Sequence, residues 1–492
     1  MERMPATGIP TVGDEVMKTV MLGAVSALAL TVSSAAFAQS TSTVNQSNTG
    51  NSAVVNQVPS DTGSASLVNQ SGAGNSANVN QSDDGTNFSG GSIPPASDST
   101  IDQTGDGNIA NVTQTTSINI NPNVSDVNQS GNMNTADVVQ LDDENSSTID
   151  QSSDGNVASV TQGDATLALS DASWGNTSTV NQAGTGGHSA TVSQLAQGNS
   201  SSVDQLGDAD SASVLQTGND NGSTVLQTGT ADVANVTQSG DFNTSDVVQD
   251  GENVLATVNQ SGNGNTSLID QTSPGGIRPI DSAAYVSQAG DGNTSNVFQR
   301  ANQGYAEVLQ NGTNSNALVM NYGNRSVAYV WQLSGDDNSA TIEQRAEDSD
   351  AFAYQTGSRN TASIVQREDS PPTENFSAAI YQYGDDNMSS IDQDGDNHVA
   401  VNEQGGDFNE STILQTGSGS YAGVGQYGDN NDSDVTQSGS GQYALVLQYG
   451  SDNLSSVNQS GNNNAAYVAQ TSNGDISTVL QSGSFNTASV TQ

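Results

Sequence analysis

A glutamine recurs every eleven residues from Gln382 to Gln492 without a slip. Aligned on these glutamines, the unit reads N-x-[AS]-x-[VI]-x-Q-x-G-x-x, as around Asn453, Val457 and Gln459. The rest of the chain repeats this unit less strictly. A period kept over such a length is typical of proteins built from stacked repeats, so it constrains the fold more than any other feature.

Two kinds of residue alternate within the unit. Asn, Ala or Ser, Val or Ile, and Gln lie two residues apart, so in an extended segment they share one face, while Thr, Asp, Asn and Ser share the other. Such alternation indicates a strand rather than a helix. A glycine usually follows two residues after the glutamine, as at Gly262, Gly428 and Gly483. We expect it to take a positive φ and turn the chain, so each unit is one strand and one turn.

One such strand carries too little apolar surface to be stable alone, so the units must stack. The predicted fold is an all-β solenoid in which two eleven-residue units form one strand-turn-strand rung and the structure repeats every 22 residues. Residues of successive rungs then lie about 4.7 to 4.9 Å apart. We expect inward Asn and Gln side chains to form amide ladders, each donating to and accepting from its neighbours, while Val and Ile fill the space between two sheets.

The chain contains 37 glutamine-anchored units and one further unit in which Asn321 replaces the glutamine. These predict 18 or 19 rungs, or a rod about 85 to 90 Å long. The eleven-residue spacing lapses in a few intervals. All prolines beyond residue 39 fall in those intervals: Pro59, Pro94, Pro95, Pro122, Pro274, Pro279, Pro371 and Pro372. Because proline cannot donate to a ladder, we expect loops there.

The N-terminal part does not repeat. Residues 1–16 have no assignment, whereas residues 17–38 have the form of a secretory signal peptide, with Lys18, an apolar core from Val20 to Val32, and a cleavage site ending at Ala38. The predicted mature chain is therefore the repeat domain, residues 39–492. Its apolar segments are too short to span a bilayer, so no stable membrane insertion is expected.

Charge and residue types exclude several functions. The formal net charge is −45, which argues against nucleic acid or anionic lipid as a partner. There is no cysteine, so disulfides and thiolate sites are excluded. His188 and His398 stand where the unit has Asn, and nothing in the sequence marks a base beside a nucleophile. The sequence thus predicts no enzyme, no cofactor and no metal site.

A longer pattern, Ser-x5-Gln-x-Gly-x2-Asn-x-Ala-x3-Gln, resembles the repeat of curlins, the subunits of bacterial curli fibres. The resemblance extends over residues 43–492, and in many units Asn or Asp replaces the first Ser. Complete copies are Ser64, Gln70, Gly72, Asn75, Ala77, Gln81; Ser97, Gln103, Gly105, Asn108, Ala110, Gln114; and Ser349, Gln355, Gly357, Asn360, Ala362, Gln366.

The resemblance implies secretion and assembly outside the cell into an amyloid-like cross-β, pilus-like fibre that serves adhesion and the biofilm matrix. It implies three partners: further copies of the chain, a nucleator subunit and an outer-membrane secretion pore. The residues that would carry polymerisation are Gln459, Asn464, Gln470, Gln481, Asn486 and Gln492. The chain departs from curlins in having several times more repeats and no obvious pore-addressing segment after the signal peptide. Strand units run to the last residue, so we expect an open, uncapped rung there.

The alternative hypothesis is a secreted repeat adhesin that does not polymerise, or a calcium-responsive β-roll. Turns such as residues 105–108, 290–293 and 384–387 concentrate oxygen donors, although the repeat of calcium rolls is absent.

All tyrosines lie from Tyr285 onwards. Pairs 22 residues apart, such as Tyr421 with Tyr443 and Tyr427 with Tyr449, should stack one rung apart, either as an adhesive or bundling stripe or as ordinary cross-strand packing.

Outward acids should also be crowded by stacking. Carboxylates one rung apart lie within the Debye length of about 8 Å, so we expect their pKa values to be raised. The acids concerned are Asp102, Asp126, Asp150, Asp204, Asp246, Asp270, Asp392 and Asp434.

Overall fold

A computed structural model describes residues 40–58, 64–83, 97–116, 122–163, 175–273, 278–367 and 375–492. The described residues form 38 β-strands, the number of units expected from the sequence, and include no helix that could span a membrane. The N-terminal extension, the signal peptide and all predicted loop prolines except Pro122 and Pro279 lie outside the described residues.

The strand bounds follow the glutamines, because nearly every strand ends at or just after one. They are β1 (Thr41–Gln46), β2 (Ser52–Gln57), β3 (Ala65–Gln70), β4 (Ser76–Asp83), β5 (Asp98–Gln103), β6 (Ile109–Thr116), β7 (Val124–Gln129), β8 (Thr135–Leu141), β9 (Ser146–Gln151), β10 (Val157–Gln162), β11 (Thr177–Gln182), β12 (Ser189–Gln194), β13 (Ser200–Gln205), β14 (Ser211–Gln216), β15 (Gly222–Gln227), β16 (Val233–Gln238), β17 (Thr244–Gln249), β18 (Leu255–Gln260), β19 (Thr266–Gln271), β20 (Ala283–Gln288), β21 (Thr294–Gln299), β22 (Tyr305–Gln310), β23 (Asn316–Asn321), β24 (Val327–Gln332), β25 (Ser339–Gln344), β26 (Asp350–Thr356), β27 (Thr361–Arg367), β28 (Ser377–Tyr383), β29 (Met388–Asp396), β30 (Val399–Gly405), β31 (Glu410–Ser418), β32 (Tyr421–Tyr427), β33 (Asp432–Ser440), β34 (Tyr443–Tyr449), β35 (Leu454–Asn462), β36 (Ala465–Gln470), β37 (Ile476–Ser484) and β38 (Thr487–Thr491).

The strands form two parallel sheets of 19 strands each. Odd-numbered strands form one sheet, the odd sheet, and even-numbered strands form the other, the even sheet. Each strand pairs with the strand two before it and the strand two after it, and glutamine stacks on glutamine. The same register continues to β37 and β38. The predicted solenoid of two-strand rungs is confirmed.

The register survives the lapses in spacing. Gln70 stacks on Gln103 although 33 residues separate them, and Gln57 stacks on Gln81 across 24 residues. Pro122 precedes β7, and Pro279 lies in the turn before β20, where its carbonyl accepts the Glu252 N–H at 2.9 Å. Inserted residues therefore leave the stacking of the flanking strands unchanged.

The core is a thin apolar layer between the sheets. Most strands contribute one buried Val or Ile, such as Val68, Ile101 or Val127, which are 0% exposed. Ala353 in β26 and Asn402 in β30 take this position instead. The neighbouring inward position is Ala along the even sheet, as at Ala110, and mostly Ser along the odd sheet, as at Ser125. The two-face prediction is confirmed, because every inward residue type of the unit is buried and the intervening residues reach the surface.

The predicted role of glycine in the turns was partly wrong. Gly428 and Gly483 have positive φ values of 128° and 95°, but Gly262 does not lie in that region. A Cβ on Gly262 would lie 1.9 Å from the carbonyl oxygen of Gly290 one rung on, so close stacking of turns requires glycine there. The left-handed residue of that turn type comes two residues later and is often not glycine, as at Met133 and Phe242.

Candidate functional site

The glutamines of the even sheet form one unbroken ladder from Gln57 to Gln492. Each Nε2 donates to the Oε1 of the glutamine one rung further along the chain, at 2.8 to 3.2 Å. The amide also donates to a main-chain carbonyl of the opposite sheet, as Gln114 does to Asp98 at 3.0 Å. Because both amide hydrogens are used, the ladder has one direction along the rod.

The ladder is removed from water. Gln103, Gln129 and Gln151 of the odd sheet are 0% exposed, as are most glutamines of the even sheet. Each such hydrogen bond stabilises the fold by about 1 kcal/mol. A buried donor or acceptor that has lost its partner destabilises it by about 1 to 3 kcal/mol. The ladder therefore penalises any shift of register by one residue.

The odd sheet has the same ladder from Gln46 to Gln299 and again from Gln344 to Gln481. It is interrupted at Asn321, whose side chain is one methylene shorter. The Nδ2 of Asn321 donates to the Ser326 carbonyl at 2.8 Å, while its Oδ1 and the Oε1 of Gln344 have no partner in the described structure. Asn321 thus occupies the glutamine position without its ladder role.

The asparagine ladder differs from the one expected. We call the position six residues before each glutamine the Asn position. There the side-chain Oδ1 accepts the main-chain N–H of the Asn position one rung further on, as Asn108 accepts from Asn134 at 2.9 Å. Its Nδ2 donates to a turn carbonyl, as from Asn108 to Gly131 at 2.7 Å. Direct amide-to-amide bonds occur at a minority of rungs, for example from Asn409 to Asn387. The prediction of side-chain pairing was wrong for most asparagines, because the shorter side chain reaches the backbone first.

Histidine replaces asparagine without breaking this pattern. The Nδ1 of His188 accepts the Asp210 N–H at 3.2 Å, and its Nε2 donates to the Ala183 carbonyl at 2.7 Å. His398 makes the matching contact with the Ser420 N–H at 3.3 Å. Burial lowers the pKa of both rings, which favours the neutral form that this arrangement requires. Both histidines therefore have the structural position expected from the sequence.

Aspartate at the Asn position reverses a turn contact. Asp232 cannot donate, and instead its Oδ2 accepts the Gly251 N–H at 3.2 Å, where an asparagine would donate to a carbonyl. Its Oδ1 accepts the Val254 N–H at 3.2 Å. Asp210 accepts the Asp232 N–H at 3.1 Å, and its Oδ2 lies 3.6 Å from Nδ1 of His188. Burial raises the pKa of Asp210 and of Asp232 to about 6.

A further ladder in the turns was missed by the sequence reasoning. At the third residue after the glutamine, an Asn or Asp side chain accepts the N–H of the same position one rung earlier. Asp106 accepts from Ala73 at 2.7 Å, Asp291 from Asn263 at 2.7 Å, and Asp385 from Ser358 at 2.8 Å. The oxygen-rich turns considered for calcium therefore hold stacked turns together. The signal was present as an Asn or Asp recurring at one turn position.

The residues expected to carry assembly lie in these columns. The first Ser of each complete copy stands at the Asn position, the Ala lies in the core, and the glycines lie in the closely stacked turns. Buried members include Gln70, Asn75, Ala77, Gln81, Ser97, Gln103, Asn108, Ala110, Gln114, Ser349, Gln355, Asn360, Ala362, Gln366, Gln459, Asn464, Gln470 and Gln481. Asn486 and Gln492 are more exposed because they belong to the last rung, and Ser64 is half-buried.

The last rung has an unpaired edge within the described structure. On either side of β38, Gln492 donates its N–H to the Ala469 carbonyl of β36 at 2.9 Å, and the Asn486 carbonyl accepts the Ala465 N–H at 2.8 Å. Because the main-chain groups of alternate residues point to opposite sides of a strand, those of Thr487, Ser489 and Thr491 point away from β36. In β37 the carbonyl of Asp475 bonds to Leu454, which leaves Thr478 on the open side. The final rung thus presents free N–H and C=O groups.

Two expectations about outward residues can be compared with the geometry. Tyr421 stacks on Tyr443 with ring centroids 5.1 Å apart, and Tyr427 stacks on Tyr449 at 5.3 Å, which confirms the pairs. The pKa values of Asp126 and Asp246 are raised, chiefly by burial and secondarily by stacked acids such as Asp102 and Asp270. Crowding is therefore the smaller cause at both carboxylates.

One family model matches the chain. The curlin associated repeat matches residues 403–428 and 428–461, which extend from the end of β30 into β35. No curated protein matches the chain.

Proposed function

We propose that this chain, a member of the curlin repeat family, is a structural subunit of extracellular curli-like fibres that assemble end to end through the amide ladders. The family is structural rather than enzymatic, which agrees with such a role. The observation that carries the proposal is the unbroken ladder of the even sheet together with the unpaired edge of the last rung.

The two ends of the rod are complementary. At the last rung, Gln492 uses one amide hydrogen for the Ile476 carbonyl at 3.1 Å, and the other remains available. At the first rung, Gln46 and Gln57 donate into their ladders, and within the described residues nothing donates to their Oε1 atoms. Donors at one end face acceptors at the other, so head-to-tail addition would continue both ladders. Such a heterologous contact gives an open-ended filament.

The remaining parts of the proposal follow the curlin family. Secretion through the signal peptide of residues 17–38 would place the mature chain, residues 39–492, outside the cell. The fibres would serve surface adhesion and the biofilm matrix, with a nucleator subunit and an outer-membrane pore as partners. The strongly acidic surface agrees with a chain that stays soluble before assembly.

Proline at the open edge tests the proposal directly. Thr478 and Ser489 have N–H groups on the open side and exposed side chains, so Thr478→Pro with Ser489→Pro removes donors that the single rod does not use. We expect the mature variant to fold, by circular dichroism, but not to extend seeds of the wild-type chain. The matched control, Thr478→Ala with Ser489→Ala, keeps both N–H groups and should extend normally. Extension by the proline variant would contradict end-on assembly, and wild-type rods that stay single would favour the non-polymerising adhesin.

A further inference from the structure

Three aromatic rings on the outer face of the even sheet stand steeply to one another. Tyr329 and Trp331 of β24 meet at 76°, Trp331 and Phe352 of β26 at 82°, and Tyr329 and Phe352 at 69°. Their centroids lie 5.1 to 6.1 Å apart. Three rings at such angles form the corner of a box rather than a flat platform.

The corner opens into a recess of about 780 Å³. The recess exists because β28 carries small residues, Ser377 and Ala379, beside the bulky Phe352, while Tyr381 bounds it further along the strand. The recess is an open groove, and its volume lies within the range of small-molecule sites.

The lining charges are all negative. Among the residues that the structure describes, Glu307 and Asp350 line the recess and no Lys or Arg does. Glu307 is held in place because the Tyr305 hydroxyl donates to its Oε2 at 2.7 Å and the Trp331 indole donates to its Oε1 at 3.1 Å. These neutral donors orient the carboxylate but leave its charge unpaired.

We propose that this recess binds an organic cation of the quaternary ammonium class. Ring faces attract cations through their quadrupoles, and a set of aromatic walls with a carboxylate at the rim suits a bulky cation with no hydrogen to donate. The net charge of −45 repels anions and raises the local concentration of cations. A neutral sugar fits less well, because it needs flat ring faces for stacking and these rings stand at 69° to 82°.

The site lies on the outer face of β22 to β28, away from both end rungs, so it is equally open in a single rod and in a fibre. The test compares choline with its uncharged carbon isostere, 3,3-dimethylbutan-1-ol, by saturation-transfer NMR on the mature chain. We expect choline to bind and the isostere to bind about tenfold more weakly. Added salt should weaken choline binding.

Variants locate the site. Trp331→Leu and Glu307→Gln should each weaken choline binding about tenfold while leaving the circular dichroism spectrum unchanged. Tyr443→Leu, on the same face but outside the recess, should bind as the wild type does. The proposal is overturned if choline and the isostere bind alike, if cellobiose binds in preference to both, or if Trp331→Leu and Glu307→Gln bind choline normally.

Discussion

The central segment of the rod, β22 to β28, and the C-terminal segment, β29 to β36, share one backbone register but differ in what joins their rungs. In the C-terminal segment every glutamine position of both sheets is used by its ladder. The odd Asn position runs from Asn387 to Asn453 without a break. In the even sheet His398 and Ser420 accept the next main-chain N–H as asparagine does elsewhere. Of the contacts with the next rung, Gln442 keeps only the donated bond to the Gly461 carbonyl, at 3.1 Å, and its Oε1 has no partner in the described structure.

The central segment has lost several of these contacts. Asn321 interrupts the odd glutamine ladder, Ser315 precedes it at the Asn position, and the even sheet has the apolar Phe376 at its Asn position. Aromatic contacts are concentrated on its outer face instead, from Tyr305 to Tyr383. Each such pair contributes about 0.5 to 1.5 kcal/mol beyond its buried area.

Arginine ion pairs also cluster in the central segment. Arg325 pairs with Asp348 at 2.5 Å, and Arg359 pairs with Asp386 at 2.6 Å. These pairs lower the pKa of both aspartates. Ion pairs this exposed contribute little to stability, because water and salt screen them, so the aromatic contacts are the stronger substitute. The comparison teaches that register is specified twice, by buried amides and by outer-face packing, and that one can lapse where the other is strong.

Removing a ladder amide should have the largest effect. Gln437→Ala in the C-terminal segment removes the acceptor of the Gln415 amide and the donor to the Oε1 of Gln459, and it creates a cavity, for an expected local loss of about 3 to 4 kcal/mol. Gln344→Ala in the central segment should cost about 1 kcal/mol less, because its Oε1 already lacks a partner. Native-state hydrogen exchange of the flanking strands measures both. Equal losses of stability from the two substitutions would contradict the difference between the C-terminal and central segments. Thr436→Ala, which changes an outward side chain, is the control.

Segments that differ at the Asn position should differ in how their stability depends on pH, because Asn is neutral whereas Asp can ionise. The C-terminal segment has Asn409 and Asn431 there, whereas β14 and β16 follow Asp210 and Asp232, whose folded pKa of about 6 lies above the ordinary value of 3.8. Each raised pKa contributes stability that is present in full below about pH 4 and is lost as the pH rises through 6, up to about 3 kcal/mol per group. The lowered pKa of His188 acts in the opposite sense below its ordinary value of 6.5.

We therefore expect hydrogen exchange of β14 and β16, corrected for intrinsic rates, to quicken between about pH 4 and 6. The Asp210→Asn and Asp232→Asn variant should lose this dependence. If hydrogen exchange in the wild type and in the variant depends on pH in the same way, the buried carboxylates are not the cause of that dependence.

Removing the aromatic contacts that replace ladder hydrogen bonds in the central segment should have a smaller effect on stability. Tyr354 contacts Phe352, Tyr381 and Tyr383, at 6.2, 6.2 and 5.6 Å between centroids. Tyr354→Ala should destabilise the central segment by about 2 kcal/mol. Tyr443→Ala, which loses one stacked partner in a segment with intact ladders, should cost about 1 kcal/mol. The same exchange measurement compares them, and a larger loss at position 443 would show that packing does not compensate for missing amides.

Repairing the ladder should have the smallest effect and the opposite sign. Asn321→Gln restores the side-chain length found at the stacked positions Gln299 and Gln344. It should satisfy the free Oε1 of Gln344 and stabilise the central segment by about 1 kcal/mol. Exchange in β23 and β25 that is unchanged or faster would mean that the gap is not a weakness.

Much of the fold could be predicted because its information is local. The period gave the strand number and register, and the alternation identified the inward columns, including Gln459 and Gln481. The tyrosine pairs followed from spacing alone. Each of these depends only on which residues repeat.

The details that could not be predicted from the sequence depend on distances between atoms of neighbouring rungs, where a fraction of an ångström decides which contact forms. Whether Asn108 meets a side chain or a backbone N–H, and whether Gly262 is needed for φ or for close approach, is decided by the neighbouring rung. The reversed contact at Asp232 requires a turn whose N–H points inward. Residue types alone do not give the orientation of a peptide group.

The central claim is that one rod continues into the next with glutamine stacked on glutamine. The chain has no cysteine, so an engineered pair reports this contact without background. Asn45 and Leu480 each precede the glutamine of an outermost odd strand, and in-register stacking would place them one rung apart in neighbouring subunits, within disulfide reach. In the mature chain carrying Asn45→Cys and Leu480→Cys, we predict covalent multimers after oxidation of assembled fibres and none before assembly. Fibres that form but do not cross-link, or that cross-link equally well when Asp270→Cys replaces Leu480→Cys, would contradict end-to-end continuation of the ladders.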